Sequence, residues 1–426
     1  MRQKVTLGYD LNNKYGQISY FDYDNEEPVT VEVATVNSQI PLALAFFNDR
    51  WVYGKEAKRL SIMNSSLVFV DFFDKAVKRE KVTTTEKTYD AVWLLAKFIE
   101  LTLKDFEEID FITFTVPKTD VDMSNLLKGI ASHLAIPKEK VAIQDHKESF
   151  CHYMYDQPKE LWQYEAALFN CEDDRVEAYM LRKLNTGRGN NDLYVTVDEV
   201  ANATVAELSA IFPVFEANKA KDADEKFKVF IQGVFDKKVI SSVFLTGEGF
   251  EQEWYPQSLK VLCNGRRTFL GNNLYSKGAC YYSRKVESGQ AIRPIYLDET
   301  RLMKRVSVQI RVEGKEIWYP IVNWGAHWYE SDARLEVLVN DLEEIKIKIE
   351  SLTDNKNEER SLSLKGLAMR DDYSIRATLE VMFLNERSCK IIVKDMGFGD
   401  FFPSTGFEAL ELIDLGGIHG QFNSMS

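Results

Sequence analysis

A strand, a short polar turn and a second strand occur twice in this chain, at Leu7–Phe21 and again at Ala166–Leu181. In the first copy Val5 and Leu7 lead in, and Ile18 and Tyr20 alternate on the way out, the period of a half-buried strand. Asn12, Asn13 and Gly16 tolerate the positive φ values of a tight hairpin. Asp10 ends the first strand and Lys14 lies just past the tip. Backbone N–H groups at such a tip can cradle a phosphate, and a nearby carboxylate can hold a hydrated metal. The same residues also suit an ordinary hairpin. In the second copy the turn is Asn170-Cys171-Glu172-Asp173-Asp174-Arg175, acidic where the first is neutral.

A chain of 426 residues predicts two or three domains. A net charge of −13 opposes broad binding to nucleic acid or anionic lipid, so neither is expected as a partner. No apolar run is long enough for a membrane span, and the N-terminus lacks a basic segment followed by an apolar one. The five cysteines are scattered without CxxC spacing. They read as free thiols of a reducing cytoplasm, and no metal site is expected.

Along the chain, Val29–Val36 and Leu42–Phe47 read as strands, and Glu56 to about Met63 as a helix. Thr83-x-x-Glu86 has the pattern of a capping box before a helix with Val92, Leu95, Ile99 and Leu103 on one face. Ile109–Val116 is a buried strand stopped by Pro117. A helix over 125–134, the strand Val141–Ile143 and a helix from Asp145 to about Tyr155 follow. Segments 197–210, 219–222 and 224–236 are predicted helical. The turn holding Gly187-Arg188-Gly189 is either a solvent loop or an anion contact. Ile240–Leu245 is a strand ending in Gly247-Glu248-Gly249, followed by helices near Pro256–Leu262 and Tyr275–Cys280.

In this order the segments resemble the actin, sugar-kinase and heat-shock-chaperone ATPase superfamily, and most of all the seventy-kilodalton chaperones. Asp10 and Leu11 match the family's first phosphate loop, while Asn12, Asn13 and Lys14 replace its Gly-Thr-Thr. Gly247, Gly249, Gly278 and Ala279 match its adenosine motif, with Glu248 in place of a glycine. The resemblance implies an α/β actin-like ATPase fold with two ribonuclease-H-like lobes. It implies Asp10, Asn12, Asn13, Lys14, Gly247, Glu248, Gly249 and Gly278 as nucleotide-binding positions, with ATP or ADP and Mg as the possible cofactor. Lys75 or Lys78 falls where the family positions the attacking water, and Asp145 where it has a catalytic Glu. Each also has a plain reading, as a solvated helix lysine or as an N-cap. The second hairpin departs most. Glu172, Asp173 and Asp174 replace glycines, Asn170 replaces the metal-associated Asp, and Arg175 replaces a Thr. A unit charge about 4 Å from a phosphate costs roughly 1 kcal/mol in water and about 4 at an effective dielectric of 20. Ordinary ATP hydrolysis is therefore not expected.

After about residue 290 helical periodicity gives way to some seven alternating strands at β-sandwich spacing. Ser363–Leu367, Leu379–Phe383, Asn385 and Ile391–Asp395 resemble the chaperones' peptide-binding β-domain, here without a helical lid. The aromatic cluster of Trp318, Tyr319, Trp324, His327, Trp328 and Tyr329 suits either core packing or a ligand groove. The expected organisation is a nucleotide-binding-type domain at 1–289, with lobes at about 1–160 and 161–289, then a mostly antiparallel β-sandwich at 290–426. The expected function is that of a cytoplasmic, chaperone-like scaffold with a degenerate nucleotide site, binding a protein or peptide through the β-domain. The alternative is an active ATPase with altered phosphate loops.

Overall fold

The computed structural model describes residues 4–33, 38–63, 68–84, 87–172, 175–184, 194–204, 207, 217–340, 343–353, 357–367 and 374–415. Gly187-Arg188-Gly189, Asp173, Asp174, Thr85 and Glu86 lie outside them. The chain divides into two compact units, Met1–Lys183 with Val195–Pro294, and Leu184–Tyr194 with Ile295–Ser426.

The first unit is built on two sheets with the same order. In one, β1 (Thr6–Leu11), β2 (Tyr15–Asp22), β3 (Glu27–Thr30), β4 (Phe111–Val116) and β5 (Val141–Asp145) lie in the order β5-β4-β1-β2-β3. In the other, β6 (Glu165–Glu172), β7 (Arg175–Leu184), β8 (Tyr194–Thr204), β9 (Ile240–Thr246) and β10 (Arg267–Leu270) lie in the order β10-β9-β6-β7-β8. Each hairpin is antiparallel, and each first strand is parallel to its crossover strand. The equivalence holds residue by residue. Asp10 lies opposite Gln17 and Thr115, and Asn170 opposite Glu177 and Thr246.

The helices follow from local chemistry. Asp90 caps α1 (Ala91–Leu103) by accepting from Val92 and Trp93 N–H, so the cap is Asp90 and not Thr83, which lies in the strand Lys81–Thr83. Asp120 caps α2 (Val121–His133), which starts four residues before the expected helix. Asp145 caps α3 (His146–Tyr155), its Oδ1 accepting from Glu148 N–H at 2.7 Å. The expected helix at 197–210 is corrected. β8 occupies Tyr194–Thr204, with Tyr194, Val195 and Val197 buried. The two short helices expected after it are one, α4 (Ala217–Phe235), which with α5 (Pro256–Leu262) covers the second sheet through Phe169, Phe227, Phe250 and Trp254.

The helix α6 (Leu274–Glu287) lies on the first sheet with a face of small residues. Ser283 Oγ donates to Leu7 O at 2.7 Å, and Ser276 Oγ meets Ser19 Oγ at 2.8 Å. A Cβ at Gly8 would sit 2.0 Å from Ser276 O, so the strand admits this helix only with glycine there.

The second unit holds two four-stranded antiparallel sheets. One is β11 (Lys304–Val312), β12 (Lys315–Val322), β14 (Glu344–Ser351) and β15 (Asn357–Ser363), ordered β12-β11-β14-β15. The other is β13 (Ala333–Asn340), β16 (Ser374–Asn385), β17 (Ser388–Asp395) and β18 (Glu408–Asp414), ordered β13-β16-β17-β18. Val306, Ile347, Leu379, Val381 and Ile391 from both sheets share one core. No helix among the described residues is long and apolar enough to cross a membrane.

Candidate functional site

The hairpin turns, the start of α3 and the start of α6 converge within the first unit. Asp10, at the end of β1, is fully buried, and His146 Nε2 lies 2.7 Å from its Oδ1. The His146 ring stacks on Tyr275 with centroids 4.0 Å apart and planes 9° apart. Burial, reinforced by Glu172 and Asp10, pushes the phenols of Tyr15 and Tyr275 well above their ordinary range. A cavity of about 420 Å³ opens here, lined by Lys14, Asp74, Lys118, His146, Arg175 and Tyr275 among others. A second cavity, of about 540 Å³, shares Asn13, Lys14 and Glu172 with it. Lys75 lines neither.

The first turn is a closed Asx turn. Asn12 Oδ1 accepts from Lys14 N–H at 2.8 Å and from Tyr15 N–H at 3.0 Å, and Asn12 N–H donates to Tyr15 O. These donors are used inside the turn. Asn13 Nδ2 donates to Asp74 Oδ2 at 2.6 Å, and the Lys14 ammonium lies 2.8 Å from Glu248 Oε1.

The turn at Gly247-Glu248-Gly249 is equally occupied. Gly247 N–H donates to Asn272 Oδ1 at 2.8 Å. Gly247 has φ 95°, and a Cβ there would lie 2.3 Å from Cys171 O, while one at Gly249 would lie 2.2 Å from Cys171 Sγ. These glycines admit the chain's own second hairpin. Gly278 likewise admits α3, since its Cβ would sit 1.9 Å from Ser149 O.

ATP with Mg is the group implied by the resemblance, and these residues do not fit it. A phosphate cradle needs outward N–H donors and a free cation. Here the Lys14 and Tyr15 amides point into Asn12, the Asn12 amide donates to Tyr15 O, and Lys14 faces a carboxylate. Among the described residues no group of three His, Cys, Asp or Glu side chains is placed to hold a metal.

Of the residues singled out in the sequence, Asn12, Asn13, Lys14 and Glu248 come together, with Asp10 buried behind them. Asp145 faces its own helix as an N-cap, and Gly278 serves helix packing. The sequence reading missed His146 and Tyr275. His146 is a lone histidine 136 positions from Asp10, and only the adjacency of β1, β4 and β5 brings it near.

Residues 26–299 match the C-terminal part of a family of unknown function (DUF5716). The chain belongs to that family. Residues 301–415 match a domain of unknown function (DUF8552), and the two matches meet just after the unit boundary at Pro294. No curated protein matches the chain. The hairpin carrying Asp10 and Lys14 precedes the stretch matched to DUF5716.

Proposed function

We propose that this DUF5716 chain is a non-hydrolysing relative of the actin and chaperone ATPases, a cytoplasmic scaffold whose β-unit binds a protein or peptide. The duplicated sheet order, with Asp10 and Asn170 at equivalent places, supports the relationship. The observation that carries the loss of hydrolysis is the closed first turn, where Asn12 consumes the Lys14 and Tyr15 amides and Glu248 neutralises Lys14. Fold analogy sets only the prior.

Isothermal calorimetry with ATP and with ADP, each with and without Mg²⁺, tests this reading. The expected result is no saturable heat at millimolar nucleotide. Binding near 1 μM, about −8 kcal/mol, that disappears in Asp10→Ala and Gly247→Val would overturn it.

A further inference from the structure

Three parallel strands of the first sheet end at one side of the cavity of about 420 Å³. Asp10 of β1 lies opposite Thr115 of β4, and Val116 of β4 opposite Asp145 of β5. Ligands of open α/β sheets bind beyond the carboxyl ends of such strands. The volume falls within the roughly 300–1,000 Å³ of small-molecule sites. Lys118 and Lys147 each stand two residues past the Val116–Asp145 pair, and both line the cavity.

The charges around the cavity are not equally free. Asp74 accepts from Asn13 Nδ2 at 2.6 Å. Glu177 accepts from the Tyr179 hydroxyl at 2.7 Å and lies 3.6 Å from Arg175 Nε. Lys14 faces Glu248, and Glu172 lies on the side shared with the second cavity. Lys118 and Lys147 have no carboxylate partner among the described residues, and the Lys147 ammonium rests over the Tyr179 ring, 5.6 Å from its centroid. Helix stability does not explain their positions. Lys147 is in the first turn of α3 and Lys118 just ahead of α2, where the macrodipole is already positive and disfavours a cation. Two unpaired ammoniums at two helix starts select an anion.

Beside them is an acceptor held in place. His146 Nε2 faces the buried Asp10 carboxylate, so it carries the hydrogen, and in the neutral ring Nδ1 keeps its lone pair. Nδ1 has no hydrogen-bond partner among the described residues, and His146 lines the cavity. The Asp10 bond and the Tyr275 stack fix the ring. From the second sheet Asn170 also lines the cavity, its buried Oδ1 without a partner among the described residues. A hydroxyl answers such acceptors by donating to them. An amine also donates, but its charge is repelled by the two ammoniums.

We infer that the cavity binds a small hydroxycarboxylate, its carboxylate at Lys118 and Lys147 and its hydroxyl donating to His146 Nδ1. A phosphate chain needs the ring of amide donors that the closed first turn withholds, whereas one carboxylate needs only the two ammoniums. The imidazole is fixed before the ligand arrives, so binding orders little there. The inference goes beyond the scaffold reading and does not depend on it.

The test is isothermal calorimetry on the full chain with L- and D-malate and L- and D-lactate, each set against its deoxy analogue, succinate or propionate. At least one hydroxy acid is expected to bind saturably below about 1 mM, and its analogue to bind about tenfold more weakly or worse. The Lys118→Gln, Lys147→Gln double variant is expected to weaken the hydroxy acid about tenfold or more. Nuclear magnetic resonance of the unaltered chain with ¹⁵N-labelled histidine keeps the test independent of how a variant folds. There the hydroxy acid is expected to shift the His146 Nδ1 signal, and the deoxy analogue to leave it in place. Equal affinity for each acid and its analogue overturns the inference, as does affinity unchanged in the folded lysine variant. No saturable heat with any of the four hydroxy acids at millimolar concentration overturns it as well. Displacement of the bound acid by equimolar inorganic phosphate marks a general anion site and overturns the ligand class. The nucleotide titrations are separate measurements, so each of these failures leaves the scaffold reading standing.

Discussion

His146 Nε2 lies 2.7 Å from Asp10 Oδ1, joining the first turn of α3 to the end of the central strand β1. Asp10 is fully buried, and its Oδ2 has no hydrogen-bond partner among the described residues. The imidazole is therefore what holds this carboxylate. His146→Ala is expected to strand it, at a cost of about 3 kcal/mol or more. Asp10→Asn, which keeps an acceptor for the ring, is expected to lose less. Urea unfolding of both variants orders the two effects. Equal small losses would show that the pair carries no stability.

Gly249 and Cys171 form a second coupled pair, because a Cβ at 249 would meet Cys171 Sγ at 2.2 Å and its Cβ at 2.9 Å. Overpacking of this kind costs about 1–3 kcal/mol. Gly249→Ala is expected to lower stability by that amount. Adding Cys171→Ala removes the sulfur and is expected to recover part of the loss, so the double-mutant cycle is non-additive. Thermal denaturation of the four proteins measures the coupling.

Much of this architecture is legible in the sequence, and the failures have physical causes. The hairpins, the strand before Pro117 and the strands after residue 300 show because alternation and turn residues are local signals. β8 was hidden because Asp198, Glu199 and Asn202 interrupt its alternation and give the run a helical look. β10 was hidden because Arg266 and Arg267 read as a charged turn, although Thr268 and Phe269 continue a parallel strand beside β9. Among the site residues, Lys14 and Glu248 were legible as individuals. Their contact was not, since a pair 234 positions apart is set by how the first hairpin turn meets the turn after β9. Likewise the glycines at 247 and 249 were legible as a turn, but what they admit is Cys171 of the chain itself.

The buried thiols predict an alkaline loss of stability. Burial pushes Cys171 up to about 12, with Glu172 and Glu248 adding to it, and burial alone pushes Cys389 up to about 12. An unfolded thiol ionises near its ordinary value of 9.0 while the folded one stays protonated. Between these values the folded state binds more protons, so stability is full below pH 9 and falls as pH rises toward 12. Cys171→Ala is expected to flatten that slope. Cys263 is exposed while Cys151, Cys171, Cys280 and Cys389 are buried. A thiol reagent at pH 8 is therefore expected to label Cys263 quickly in the native protein and the other four only on unfolding.

On the acid side the group to watch is His152, wholly buried on α3 beside the Tyr282 ring. Burial lowers its pKa below the ordinary value of 6.5, and it outweighs Glu148, 3.6 Å away, which acts to raise it. The unfolded histidine takes up a proton as pH falls through 6.5, and the folded one resists. Stability from this residue is present above that pH and lost below it. His152→Phe keeps a ring in the core and is expected to flatten the dependence below pH 6.5. Denaturant midpoints over that range decide the point, and an unchanged slope would assign the acid loss elsewhere.

The Lys14–Glu248 bridge joins the two turns at their solvent-facing tips, with the side chains 35% and 58% exposed. Exposure limits what it contributes to about 0.2–1 kcal/mol. A cycle of Lys14→Ala, Glu248→Ala and the double variant is expected to give a coupling in that range at low salt. Near 1 M salt the Debye length falls to about 3 Å and the coupling is expected to vanish. Glu248→Ala removes the carboxylate 2.8 Å from the Lys14 ammonium, while Asn12 still consumes the Lys14 and Tyr15 amides. Glu248→Ala alone is therefore expected to gain no affinity for inorganic pyrophosphate, and the Asn12→Gly, Glu248→Ala double variant to gain some. Pyrophosphate binding by the single variant would mean that the bridge, and not the closed turn, keeps phosphate out.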